Sequence, residues 1–310
     1  MEKKILIAVD DSRHSENAVR YVAGLHGTVQ QLKYVLFHVE PTISFYLQEE
    51  AKTKPAASAE LQTVMRKSHE AARAMLDRYV SVMVSLGVSG DNIQTVSLPR
   101  KFGAGKDVLE YGTAMVYDAI VIGRRGLSGM TEMLMGSVSA DIVNNSQLVP
   151  VWLVDDKSTS GSVMLAVDGS ESSLRAVDHV SFICGGDPDI TLTFFHVEPR
   201  LSSFCPIDFG DTDISALDAT IAQGDRAHID RFFAHALKTL AAAGITERQI
   251  RVDVQKGAFR VGKAVLDAYR KGNFGTLVVG RRGMGKQFFG GSVSRFLVNQ
   301  FSGGALWVVP

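Results

Sequence analysis

The sequence predicts an α/β fold built twice over. Three observations carry this. Short apolar runs alternate along the chain with amphipathic stretches, the pattern of βαβ units and a mainly parallel sheet. Runs such as AIVIG at 119–123 and TLVVG at 276–280 are almost wholly apolar, as strands covered on both faces are. And the pattern repeats. AVDDSRHSENAV at 8–19 returns as AVDGSESSLRAV at 166–177, and LFHVEP at 36–41 returns as FFHVEP at 194–199, both 158 residues later. VIGRRG at 121–126 returns as VVGRRG at 278–283, 157 residues later. GSVS at 136–139 and PVWLV at 150–154 are echoed by GSVS at 291–294 and ALWVV at 305–309, 155 residues on. Five blocks in one order mean two copies of one domain. The polar segment DDKSTSG, Asp155 to Gly161, has the composition of a linker, so the domains are expected at 1–156 and 161–310.

Within copy one, Lys4–Val9 predicts the first strand and Ser15–His26 a helix, followed by a strand at Tyr34–Val39. Pro41 to about Ala57 predicts a long loop, and Ala59–Leu86 a long helix. In that helix Leu61, Met65, Ala72, Met75, Leu76, Tyr79 and Met83 fall near one face at a 3.6-residue period. A strand at Asn92–Ser97, a helix at Gly105–Tyr117 and a strand at Ala119–Ile122 come next. A glycine-rich loop then leads to a helix at Ser137–Asn145, and Val149–Val154 forms the last strand.

Of the 310 residues 45% are hydrophobic and 21% charged, with Lys+Arg and Asp+Glu at 33 each. A chain without net charge is poorly suited to coating nucleic acid or gripping an anionic membrane. Cys184 and Cys205 are the only cysteines, too few for a disulfide scaffold, and they suit a reducing compartment. The apolar run at Ile5–Val9 is too short for a signal peptide or a membrane span, and no later run is long enough for one. A cytoplasmic protein is expected.

In an open α/β sheet, ligands bind beyond the carboxyl ends of the strands. Asp10, Val39 and Gly123 stand at three such ends and are expected at one rim. Ser12 and Ser15 precede a helix, so part of their role is capping. Asp10 and its repeat Asp168 are carboxylates at strand ends that need partners; an adenine amino group or a ribose hydroxyl would serve. The strongest local signal is GRRGLSGMTEMLMGSVS, 123–139, between a strand and a helix. Its glycines permit close backbone approach. The N–H groups of Gly136, Ser137 and Val138 open a helix, whose N-terminus favours an anion. Ser137 and Ser139 hydroxyls can donate to phosphate oxygens, and Arg124 and Arg125 add charge-assisted donors, either of which can instead face solvent.

The spacing Gly123-x2-Gly126-x9-Gly136-Ser137 resembles the nucleotide-binding signature of the universal stress protein family. The AVDxS opening, the HVEP after the second strand and the PVWLV ending are similar to that family too. The resemblance covers nearly the whole chain, as a tandem two-domain member. It implies two Rossmann-like, adenine nucleotide-binding domains, each a five-stranded parallel sheet flanked by helices, packed as a pseudo-dimer through the terminal strands. It also implies ATP, with magnesium a possible companion. Adenine would lie near Ala8, Asp10 and the backbone at Val39. Phosphates would lie on Gly123, Arg125, Gly126, Gly136, Ser137, Val138 and Ser139. The copy-two counterparts are Asp168, Val197, Gly280, Arg282, Gly283, Gly291, Ser292 and Val293. Copy two departs from the signature: seven residues, Met284 to Gly290, separate its glycines where copy one has nine. The shorter crossing either shifts the phosphate nest or is absorbed by the Gly290-Gly291 pair.

GAFRVGKA at 257–264 has a P-loop skeleton, but Ala264 replaces the Ser or Thr that ligates magnesium, and copy one has Arg100 at the Gly257 position. It is read as a decoy. His38 and His196 precede the strand-end valines without ligand companions, so they are read as packed rim histidines. No nucleophile elbow or pyrophosphatase loop follows the first strand, which argues against an efficient enzyme. The leading expectation is an adenine nucleotide-binding stress-response regulator that acts on an unidentified protein partner, with a homodimer as a further option. A slow magnesium-dependent ATPase and a nucleotide-independent scaffold are the alternatives.

Overall fold

The structure is a computed structural model, and it describes residues 2–25, 31–124, 135–156, 161–200, 214–258, 260–281 and 292–310. The chain divides into two units. Unit one runs to Asp155, and unit two runs from Asp156 to Pro310. Each is described by itself.

Unit one contains β1 (Lys3–Ala8), α1 (Arg13–Gly24), β2 (Leu32–Glu40), α2 (Phe45–Ala51), α3 (Pro55–Ser85), β3 (Ile93–Pro99), α4 (Ala104–Ala114), β4 (Ala119–Gly123), α5 (Ser137–Asn145) and β5 (Val151–Val154). Its sheet is parallel, in the order β3-β2-β1-β4-β5. Strand order reverses between β1 and β4, so their carboxyl ends open a crevice. Ile5, Leu6, Ile7, Ile120 and Val121 are fully buried, because helices cover both faces of these central strands.

Unit two repeats the order: β6 (Ser162–Val167), α6 (Glu171–Cys184), β7 (Thr191–Glu198), α7 (Ser215–Ala242), β8 (Ile250–Lys256), α8 (Val261–Lys271), β9 (Thr276–Gly280), α9 (Ser292–Gln300) and β10 (Ala305–Val309). Its parallel sheet runs β8-β7-β6-β9-β10.

Several sequence expectations are corrected. The segment expected as a loop at 41–57 holds α2 and the start of α3. Ala72, Met75, Leu76, Tyr79 and Met83 of α3 are buried, but Met65 is 42% exposed. The apolar face of α3 is therefore buried only from Ala72 onwards. α4 stops at Ala114, three residues early. Val116 takes φ 53°, and the Tyr117 N–H donates to the Gly112 carbonyl, closing the helix in a Schellman motif. A β-branched residue there is strained. At the matching place in unit two, α8 ends into Asn273 at φ 51°, a residue that tolerates the left-handed region. Gly257 of the P-loop-like skeleton has φ 51° and lies against the Arg200 side chain, so it serves a turn. Cys184 is buried, whereas Cys205 lies outside the described residues. No helix among the described residues is long and apolar enough to cross a membrane.

Candidate functional site

The β1–α1 turn of unit one is organised by its own polar residues. Ser12 caps α1, accepting from the Ser15 N–H at 3.2 Å. The Asp10 carboxylate is the hub: its Oδ1 accepts from the Ser12 hydroxyl at 2.5 Å and the Ser15 hydroxyl at 2.6 Å. Asp10 therefore finds partners within its own turn, and one oxygen of the carboxylate is spent on them. From below, the Tyr79 hydroxyl of α3 donates to the Asp10 carbonyl at 2.7 Å. Burial of that phenol pushes its pKa up to about 12, so it remains a donor. Unit two builds the same turn: Ser170 caps α6, and Ser173 donates to Asp168 Oδ1 at 2.8 Å.

Gly123 ends β4 against α1. A Cβ there would lie 2.7 Å from the His14 carbonyl carbon and oxygen. Gly280 meets the backbone of Ser172 at 2.8 Å in the same way. Glycine is required at both places for strand-to-helix packing, whatever else the position does. The Ser139 hydroxyl donates to the Gly123 carbonyl at 2.8 Å, as the Ser294 hydroxyl does to Arg281 at 2.8 Å. The Ser139 hydroxyl, expected to donate to phosphate, here ties α5 to the end of β4. The Gly136 N–H is also committed, to the Arg124 carbonyl at 3.0 Å. That leaves the N–H groups of Ser137, Val138 and Ser139 at the head of α5, with the exposed Ser137 side chain beside them. Arg124 is 3% exposed and faces Asp155 at 3.8 Å, so it belongs to the interior of unit one.

Above these groups lies a cavity of about 730 Å³, within the usual range for small-molecule sites. Ala8, Asp10, Val39, Gly123, Gly136, Ser137, Val138 and Ser139 all line it. The cavity thus gathers every described copy-one residue that the family resemblance implies as a contact, while Arg124 stands outside it. Arg125 and Gly126 lie outside the described residues. The wall beyond the repeated blocks had no motif to announce it. Val64, Lys67, Ser68, Ala71, Ala72 and Met75 come from α3, which passes over the rim. Ala104 and Val108 come from α4, and Arg100 from the turn that joins β3 to it. Only the helical period of α3 hints at this, and that period equally fits a core. His38 also lines the cavity; its Nδ1 lies 2.8 Å from the Val9 carbonyl, to which it donates.

Unit two is different at the same rim. His196 keeps the first contact, with Nδ1 at 3.0 Å from the Val167 carbonyl, but its Nε2 meets Asp225 Oδ2 of α7 at 2.8 Å. Both side chains are buried, at 3% and 6% exposure. His228, one turn further along α7, places Nε2 at 3.0 Å from the Gly169 carbonyl. Asp168, Val197 and Gly280 occupy the strand ends as their counterparts do. Val293 lies in the first turn of α9, whose first residue is Ser292. Arg282, Gly283 and Gly291 lie outside the described residues.

Among the described residues, no group of His, Cys, Asp or Glu side chains could hold a metal ion.

Comparison with known proteins accords with this architecture. The model of the universal stress protein family matches residues 1–155 and again 160–309. A universal stress protein of Mycolicibacterium smegmatis is 27% identical over 214 residues, covering 66% of this chain and 67% of that one. A crystal structure of a universal stress protein from Archaeoglobus fulgidus superposes with a TM-score of 0.65 at 19% identity, covering 99% of this chain and 97% of that one. A functionally unknown protein from Pseudomonas aeruginosa gives 0.59 at 13% identity, covering 99% and 92%. Matched twice in tandem over two units of one strand order, the chain belongs to the universal stress protein family.

Proposed function

We propose that unit one binds an adenine nucleotide, ATP foremost, and that the chain acts as a nucleotide-responsive regulator of the stress response. The observation that carries this reading is the unit-one cavity. It combines an apolar slot under α3, a carboxylate at the end of β1 and the head of a helix on one rim. Each part suits one portion of a nucleotide. Val64, Ala71, Ala72 and Met75 line the same cavity as Val39, and their apolar surface suits a flat base. The Asp10 oxygen not spent on Ser12 and Ser15 suits a ribose hydroxyl. The N–H groups at the start of α5 suit phosphate oxygens, since the helix dipole adds a partial positive charge there. Lys67 and Arg100 bring cations to the same wall. Magnesium, in this reading, arrives with the phosphates rather than in a protein site.

Calorimetric titration of the whole chain with ATP, with and without magnesium, tests the proposal. Saturable heat is expected. At a hundred times its dissociation constant the nucleotide should stabilise the chain by about 2.7 kcal/mol, which a thermal unfolding scan detects. Absence of both heat and shift at millimolar ATP would sink it and favour a nucleotide-independent scaffold. ADP release in the same samples tests slow hydrolysis. The regulatory output is read as a changed protein contact, and sedimentation with and without ATP asks whether the partner is a second copy of the chain.

A further inference from the structure

We propose that the rim of unit two is closed by its own long helix, so that the chain carries one open nucleotide site and one site converted into an internal clasp. The inference rests on the nucleotide reading of unit one and extends it to unit two.

The two long helices end alike. The Val88 N–H donates to the Met83 carbonyl in one, and the Ile245 N–H to the Leu240 carbonyl in the other, 157 residues apart. Gly87 at φ 95° and Gly244 at φ 83° follow the same spacing. Both helices run without interruption, so this spacing holds back along them. Ser68 of unit one therefore corresponds to Asp225, and Ala71 to His228. At the strand ends the spacing is 158, which pairs His38 with His196 and Asp11 with Gly169. All four unit-one positions line the open cavity. Their four unit-two counterparts bond to one another: Asp225 to His196, and His228 to the Gly169 backbone.

Space argues the same way. His228 Cδ2 lies 2.5 Å from where a Cβ on Gly169 would be, so the imidazole rests directly on the turn after β6. Unit one has Asp11 there, with Ala71 at the His228 position of the helix and the Asp11 carboxylate turned to Arg78 further along α3. The bonding duty has also moved. In unit one the β1–α1 turn is held by Tyr79 from deep in α3. Unit two has Ala236 at that place, and His228, two turns earlier and over the rim, holds the turn instead. The contacts that fasten α7 therefore occupy the volume in which unit one keeps room for a base.

The test counts and locates nucleotide on the whole chain, by calorimetric titration with ATP and by photolabelling with 8-azido-ATP followed by peptide mapping. The wild type should take one equivalent and label unit one alone, and Gly136→Asp should take none. The double variant Asp225→Ser, His228→Ala restores the unit-one residues and should gain a second equivalent with labelled peptides in unit two. A second wild-type equivalent that survives Gly136→Asp would overturn the proposal. So would a folded double variant that gains no label in unit two while unit one still binds. If the wild type takes no ATP, the nucleotide reading fails, and modification of the histidines by diethyl pyrocarbonate decides the clasp alone. His196 should then react slowly beside His38 and reach the rate of His38 in Asp225→Ser. Equal rates in the wild type would refute the clasp.

Discussion

Units one and two share a sheet order, a serine cap, a strand-end carboxylate and a glycine pressed against the first helix. They differ in what the long helix presents to the rim: Ser68 and Ala71 in one, Asp225 and His228 in the other. A few side chains on one helical face leave one crevice open and fasten the other, with the backbone kept. Duplication therefore preserves the scaffold, because every strand and turn depends on it.

The largest effect that would sharpen this contrast is at the head of α5. Gly136 sits at φ −60°, ψ 147°, a conformation any residue adopts, and aspartate is a good helix cap. Gly136→Asp should keep the fold yet set a carboxylate against the phosphates. Like charges in contact cost several kcal/mol, so ATP affinity should fall by about a hundredfold or more in calorimetry. Unchanged affinity would move the phosphates elsewhere.

Next come the packing glycines. Gly123→Ala and Gly280→Ala each drive a methyl group into the backbone of the first helix of their unit. Each should cost about 1–3 kcal/mol in denaturant unfolding. Clearly unequal losses would break the equivalence of the two scaffolds.

A third difference is electrostatic. His179 lies in the core of unit two against Trp307, with ring centroids 5.5 Å apart, where unit one has Tyr21. Burial lowers its pKa from 6.5 to about 3. The unfolded chain binds this proton below pH 6.5 and the folded one does not, so stability should fall as pH drops from about 6.5 towards 3. His179→Tyr, which copies unit one, should flatten that fall in unfolding curves measured across the window, since tyrosine carries no charge there. The smallest effect is at the end of α4. Val116→Asn copies Asn273 and relieves a left-handed β-branched residue, and it should raise the unfolding free energy by about 1 kcal/mol.

Much of this was legible before any fold was seen. The repeats, the strand runs and the strand-end positions of Asp10, Val39 and Gly123 follow from spacing alone, since apolar periodicity and chain connectivity fix a parallel sheet and its ligand edge. The glycine-rich signature also placed the head of α5 on that edge. Other residues have duties that spacing alone does not show. Ser139 looks like a phosphate donor until the close approach of α5 to β4 commits its proton to Gly123. Arg124 looks like a charged loop residue until burial beside Asp155 takes it inside. The cavity wall from α3 carried no motif, because small and apolar residues at helical spacing look the same whether they meet a core or a ligand.

By itself the sequence determined two copies of one α/β domain, their order of elements and the rim where a ligand would sit. These depend on local patterns and on chirality, which any chain of this design obeys. Tertiary structure decided whether each rim is open. That depends on which residues of a helix some thirty positions away in sequence fall over the strand ends. His38 and His196 sit in the same four-residue motif, HVEP, and only the packing of α3 and α7 leaves one facing a cavity and binds the other to a carboxylate.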